Sequence, residues 1–334
     1  MIVAGVGVNG LLQGLFARNN GIEAYKERNL LGAVEYLNTA YASPFKNRQV
    51  LDYLGLTHKN IADQAVDGPV AEASYKKALD YFLESRVLYP RSPYAKNGMI
   101  NIYRRKKDWD QLVPLASSFE SEIKASALQD DDGGELPDKL KATFLVTLGN
   151  VFADQDNPFR SDEHAVTLYQ LALGLDPDNM FAVLNMPPRL IDMARALPAG
   201  SVNRTGYLQQ AYDLSVRGTG LDEPRDKVFS VLAILQILML DPALANNGYS
   251  IADGLALIDR YREARADFDV DTWFILAEAY LAVNNLARAR DSFYQALIYQ
   301  ARFTEEHKKW ARELWQKVGD AQDFPFQQLL PGAQ

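Results

Sequence analysis

The helical repeat of this chain is clearest in residues 271–301, which read DTWFILAEAYLAVNNLARARDSFYQALIYQA. Apolar side chains recur there at helical spacing, and Asn284 and Asn285 interrupt them as a turn. Ala277 and Ala289 fall where two antiparallel helices would cross, since small side chains permit close approach. The large side chains expected beside the crossing are Trp273, Tyr280 and Phe293. The segment therefore predicts an antiparallel helical pair.

The spacing of this pair, W-x2-L-[GA]-x2-Y followed by A-x3-F-x2-A, resembles a tetratricopeptide repeat (TPR). Its second half recurs twice, and a proline follows each copy: Ala78, Phe82, Ser85 and Pro90, then Ala165, Tyr169, Ala172 and Pro177. The preceding helices carry Leu54, Gly55 and His58 in the first case and Leu148, Gly149 and Phe152 in the second. Weaker or divergent copies cover residues 21–41, 94–123, 181–218 and 228–265. We therefore expect about seven helical pairs.

The resemblance implies an all-α fold, a right-handed superhelix (α-solenoid) of TPR-like pairs with a C-terminal capping helix. The expected divisions are an apolar N-terminal segment (1–20), the solenoid (21–303), a capping helix (304–319) and a tail (320–334). Residues rich in Gly, Pro, Asn or Asp indicate loops at 66–70, 129–138, 155–161, 198–205 and 241–250.

Composition excludes several classes of protein. Of the 334 residues, 48% are apolar and 23% charged, as in ordinary folded proteins. The net charge of −8 supplies no global field that would attract nucleic acid or an anionic membrane. The absence of cysteine excludes disulfide scaffolds, thiolate metal sites, cysteine nucleophiles and lipid-anchored cysteines for this sequence.

The segment Met1–Phe16 has two interpretations. It is apolar but interrupted by polar residues, and it is shorter than the ~20 residues of a membrane span. Gly10 and Gly14 have the small-xxx-small spacing of paired membrane helices. The segment is either a first helix packed on the next one or the remnant of a membrane or signal anchor.

No motif for catalysis, metal or cofactor binding is complete. Residues 5–10 fit G-x-G-x-x-G, but too few residues precede them to form the strand that a dinucleotide site requires. The acidic residues between Gln129 and Glu135 lack calcium-loop spacing and favour an exposed loop. The histidines, His58, His164 and His307, fall on separate predicted units. We therefore expect no enzyme activity, no metal site and no cofactor.

A binding face is expected on the first helix of each pair, because stacked pairs form an extended concave surface. The candidate partner-binding residues are Asn97, Asn101, Arg104, Arg105 and Asn150. Asparagine amides suit a peptide backbone, and arginine suits a carboxylate. In the TPR family, a clamp for chaperone tails uses lysines and asparagines here; Asn101 and Asn150 match its asparagines, whereas Asn97 replaces a lysine. The alternative is that residues 104–107 form a solvated turn.

These observations predict a non-enzymatic scaffold that holds a protein or peptide partner, with a membrane or cell-envelope assembly as one setting. The segment Tyr89–Ala95 resembles bacterial envelope TPR proteins, which favours a periplasmic or membrane-associated location over a cytoplasmic one. No nucleic acid and no small-molecule substrate are expected. The alternatives are a sensor that binds a small ligand and an accessory subunit of an enzyme complex.

Overall fold

The computed structural model describes residues 2–130, 133–261 and 268–319, with side chains from residue 10 onward except at 246 and 247. In these ranges the chain is helical, apart from an isolated bridge between Gln129 and Glu135, so the predicted all-α class is confirmed. The α-helices are α1 (Ile2–Lys26), α2 (Leu30–Ala42), α3 (Arg48–Gln64), α4 (Gly68–Leu88), α5 (Pro93–Lys106), α6 (Trp109–Lys124), α7 (Asp138–Phe152), α8 (Asp162–Leu175), α9 (Met180–Arg195), α10 (Val202–Gly218), α11 (Pro224–Leu240), α12 (Ile251–Arg260), α13 (Val270–Ala282), α14 (Leu286–Leu297) and α15 (Glu305–Val318).

The helices belong to two compact units, of which the first ends at Ser161 and the second begins at Asp162. In the first unit α1 packs on α2, α3 on α4, and α5 on α6. In the second, α9 packs on α10, α11 on α12, and α13 on α14. These packed pairs confirm the predicted helical repeat. The two helices of the remaining predicted pair, α7 and α8, lie in different units.

The pair α13–α14 packs as its sequence predicts. Ala277 and Ala289 are fully buried, and Phe293 beside them is equally inaccessible. The sequence pattern overlooked Phe274, which is also fully buried. Its ring centroid lies 5.0 Å from that of Trp310 on α15. Phe274 therefore joins the last pair to the helix that follows it.

In the first unit, Phe82 of α4 is held between two glycines. A Cβ atom on Gly55 of α3 would lie 2.5 Å from Phe82 Cε1, and one on Gly98 of α5 would lie 2.6 Å from Cε2. Both distances are far below van der Waals contact, so glycine is required at both positions while the ring stays in place. The ring thus connects the pair α3–α4 to the next pair.

Helix α1 is longer than expected and crosses the predicted boundary at residue 20. The face with Gly10 and Gly14 packs within the chain, since a Cβ on Gly14 would lie 2.7 Å from Phe45 Cβ and one on Gly10 would lie 3.8 Å from Pro44 Cδ. This packing agrees with the interpretation of a first helix packed on its neighbours. None of the described helices combines the length and the apolar character that a membrane crossing requires.

Some predicted loops contain helical residues. Helix α4 begins at Gly68, inside the predicted loop 66–70, because a proline is tolerated in the first turn of a helix. Helix α10 begins at Val202, where the Ser201 side chain accepts a hydrogen bond from the Arg204 amide. A 3-10 helix, Pro242–Asn247, occupies most of the predicted loop 241–250. Asp131, Asp132, the end of the copy at 228–265 and the tail 320–334 lie outside the described residues.

Candidate binding surface

The first helices of the pairs in the first unit form one layer. Helix α1 contacts α3, α3 contacts α5, and α5 contacts α7, whereas each second helix contacts chiefly the helices before and after it in the chain. Helices that approach one another across successive pairs occupy the inner side of such a stack, where TPR-like proteins present their binding surface.

Three of these first helices, α3, α5 and α7, leave a stripe of partly accessible side chains at helical spacing. We call the following residues the inner face: Gln49, Tyr53, Leu56 and Asn60 on α3; Tyr94, Asn97, Asn101 and Arg104 on α5; Thr143, Thr147 and Asn150 on α7. Five of these eleven residues are carboxamides, and each carboxamide can donate and accept hydrogen bonds.

The two asparagines of α5 interact directly. Asn101 Nδ2 donates a hydrogen bond to the carbonyl oxygen of Asn97 at 2.9 Å. Asn97 Oδ1 is buried and accepts no hydrogen bond from the described residues. An unsatisfied buried acceptor costs about 1–3 kcal/mol of stability, so this amide lowers the stability of the free protein.

The structure brings four of the five predicted residues onto the inner face but separates the two arginines. Arg104 Nε donates to Asp154 Oδ2, just after α7, at 2.8 Å. Arg105 instead lies beside Tyr75 and Asp63 of the preceding pair. Asn150 is half-buried on α7. The Arg104 charge is therefore already paired, and an acidic ligand group would have to compete with Asp154.

A basic cavity of about 640 Å³ lies at the end of the inner face where α3 and α5 begin. Its walls come from four separate parts of the first unit: Arg18 of α1, residues 47–49 at the start of α3, residues 88–92 from the end of α4 to the residue before α5, and Gln129, Asp130 and Gly133 after α6. Gln49 belongs to both the inner face and the cavity. We call it the arginine cavity, after Arg18, Arg48 and Arg91.

Aromatic rings and a buried carboxylate position two of these arginines. The guanidinium carbon of Arg18 lies 5.0 Å from the ring centre of Phe45, and that of Arg48 lies 5.1 Å from the ring centre of Tyr94. Arg48 Nε lies 3.5 Å from Asp52 Oδ2. Burial raises the pKa of Asp52 to about 6, although a hydrogen bond from Ser85 and the charge of Arg48 act in the opposite direction.

Comparison with known proteins finds similar solved structures but no sequence relative. No family model matches the sequence, and no curated protein sequence matches it. A tetratricopeptide repeat protein from Parabacteroides merdae ATCC 43184 is similar over 91% of this chain and 99% of its own, at 12% identity and a TM-score of 0.48. Cut9-Hcn1 of the APC/C is similar over 90% of this chain and 62% of its own, at 17% identity and a TM-score of 0.44. Yeast Tom70 is similar over 92% of this chain and 81% of its own, at 11% identity and a TM-score of 0.27.

The packing within this chain decides the fold. In the pairs α3–α4 and α13–α14, a glycine or an alanine lies at the crossing, and a phenylalanine ring from the second helix fills the adjacent space. The chain has the TPR fold. In this TPR fold the first helices of the first unit carry the inner face, whereas the arginine cavity is not marked by any local motif.

Proposed function

We propose that the chain is a non-enzymatic scaffold that holds a protein or peptide partner on the inner face. The observation that carries this proposal is the row of carboxamides and tyrosines on successive first helices of one unit. Such a surface matches an extended peptide, whose backbone presents alternating donors and acceptors.

Two different contributions to binding are expected. Asn97, Asn101 and Asn150 supply hydrogen bonds to the partner's backbone, each with a net value of about 0.5–1.5 kcal/mol. Arg104 supplies charge only when an acidic partner group displaces Asp154, so its contribution is screened by salt. The amides therefore provide most of the affinity near physiological ionic strength.

The test is to capture the partner from the native source with the tagged chain and then to measure affinity with the purified partner. Replacing Asn97, Asn101 and Asn150 together by alanine should weaken binding at every salt concentration. Gln111→Ala, an exposed carboxamide on the second helix α6, is the matched control and should bind as the wild type does. Unchanged affinity of the triple variant, with its helical spectrum intact, would locate the binding site elsewhere.

A membrane or envelope assembly is the setting that we propose for this scaffold. Its support is a group of exposed apolar side chains on α1: Leu11, Leu12 and Phe16, the last of them 64% exposed. Exposed apolar groups of this kind mark interaction sites. Replacing Leu12 and Phe16 by serine should release the protein from the particulate fraction of its native cells without lowering the free energy of unfolding. A loss of stability would instead assign these side chains to packing.

A further inference from the structure

The arginine cavity has an unusual charge for this acidic chain. Three guanidinium groups line it, from Arg18, Arg48 and Arg91, against the single carboxylate of Asp130 among the described lining residues. Asp130 Oδ1 accepts a hydrogen bond from the Gly134 amide at 2.8 Å, so part of that carboxylate is already engaged. The described walls therefore carry a net positive charge in a protein whose formal charge is −8.

Two of the three guanidinium groups have no carboxylate partner among the described residues. Arg18 donates through Nε and Nη2 to Asn19 Oδ1, at 3.1 and 2.7 Å, and stacks near Phe45. The Arg91 side chain is exposed at the rim, and its backbone carbonyl accepts a hydrogen bond from the Gln129 amide at 3.0 Å. This hydrogen bond ties the arginine-bearing loop to the opposite wall.

The third guanidinium is fixed at the base of the cavity. Arg48 Nη1 donates to the Asp130 carbonyl oxygen at 3.3 Å, and its side chain is only 11% exposed. Ser92, which also lines the cavity, is 4% exposed, and its hydroxyl has no hydrogen-bond partner in the described chain. The cavity thus combines arginines that neighbouring groups position with a wall hydroxyl that has no hydrogen-bond partner among the described residues.

We propose that the arginine cavity binds a phosphate group, either free or carried on a protein side chain. Guanidinium groups bind phosphate through paired N–H donors, and a phosphate monoester carries nearly two negative charges near neutral pH. Arg18 and Arg91, which have no carboxylate partner among the described residues, match a dianion better than a single carboxylate, which would neutralise only one of them. This site adjoins the inner face, with which it shares Gln49, but the proposal does not depend on the scaffold proposal.

The experiment measures inorganic phosphate binding to the purified full chain by calorimetry, at constant ionic strength maintained with sodium chloride. Saturable binding is expected, together with a rise in Tm, because a ligand that binds only the folded state stabilises it. The double variant Arg18→Gln, Arg91→Gln should bind phosphate at least about tenfold more weakly, the usual effect of losing hydrogen bonds to a charged group. Arg86→Gln, an exposed arginine of α4 outside the cavity, should keep the wild-type affinity.

Further probes distinguish the source of the phosphate. A peptide that contains phosphoserine and binds more tightly than inorganic phosphate, while its unphosphorylated form does not bind, would identify a modified protein as the source. Equal affinities would indicate a small phosphorylated molecule. Absence of saturable phosphate binding, equal affinity of the double variant, or tighter binding of citrate than of phosphate would overturn the proposal. If the double variant fails to fold, Arg91→Gln alone gives the answer, since this side chain is exposed.

Discussion

The pairs α3–α4 and α13–α14 place different chemistry at equivalent positions of the same repeat. Where α13 and α14 have Phe274 and Ala296, both fully buried, α3 and α4 have Asp52 and Ser85. Ser85 Oγ donates to Asp52 Oδ1 at 2.6 Å inside the core. At these positions, aromatic packing stabilises the pair α13–α14, and a buried hydrogen bond stabilises the pair α3–α4.

The two pairs also differ in the small residue at the point where their helices cross. Ala277 fits beside its neighbours in α13, whereas the equivalent Gly55 in α3 leaves no space for a Cβ against Phe82. The repeat pattern thus specifies that a small residue is needed, and the position of the aromatic ring decides how small. Four predictions test this difference.

The largest effect is expected from the aromatic ring that both pairs share. Phe82→Ala and Phe293→Ala should each lower the free energy of unfolding by about 3–5 kcal/mol, because each removes a fully buried ring and leaves a cavity. Chemical denaturation of each variant measures this loss. A small loss for Phe82→Ala alone would mean that the two glycines close on the space that the ring leaves.

Only the α3–α4 pair should respond to pH through its core. Because burial raises the Asp52 pKa from 3.8 to about 6, the folded protein holds its proton more tightly than the unfolded chain does. Stability from this group is therefore greatest below about pH 4 and is lost as pH rises through 6. Relative to Asp52→Asn, which does not titrate, the wild type should lose about 2–3 kcal/mol over this interval. A difference that is constant with pH, measured by denaturation from pH 4 to 8, would contradict the raised pKa.

Substitution of either glycine should show how closely α3 and α5 hold Phe82. Gly55→Ala and Gly98→Ala should each destabilise the protein by about 1–3 kcal/mol, since overpacking outweighs the better helix propensity of alanine. The matched double variant with Phe82→Leu should recover part of the loss caused by each alanine. Stabilisation by either single alanine would show that the ring moves aside easily.

The smallest effect is expected from the reverse exchange at the last pair. Ala277→Gly should cost about 1–2 kcal/mol, from lower helix propensity and one lost buried methyl group. The comparison with Gly55→Ala is the informative one, because both variants exchange the same two residues at equivalent positions. If each crossing is adapted to its own residue, both exchanges should lower the free energy of unfolding by similar amounts. Thermal or chemical unfolding of the two variants measures this.

Much of the fold was predictable because each pair is local in sequence. The alanine and aromatic spacing located α13–α14, and the prolines at 90 and 177 follow the ends of α4 and α8 as predicted. Phe274 was missed because the repeat pattern does not specify that position, and its partners come from α15. The start of α4 was missed because Pro69 suits a first helical turn as well as a loop.

The candidate sites were predictable only in part. Asn97, Asn101, Arg104 and Asn150 share the inner face because helical spacing determines which side chains lie together. The ion pair between Arg104 and Asp154 depends on how α5 and α7 pack, which no single helix encodes. The arginine cavity draws on residues from Arg18 to Gly133, so its charge appears only after four segments have folded together.

The position of Phe82 between Gly55 and Gly98 also has a consequence for how the first unit opens. Helix α5 cannot separate from α3–α4 without exposing part of the ring to water, so local unfolding of these three helices is coupled. In native-state hydrogen exchange, the backbone amides around these positions should therefore open with a single common free energy. This cooperative block would span a boundary between repeats, where a chain of independent pairs would be expected to open first.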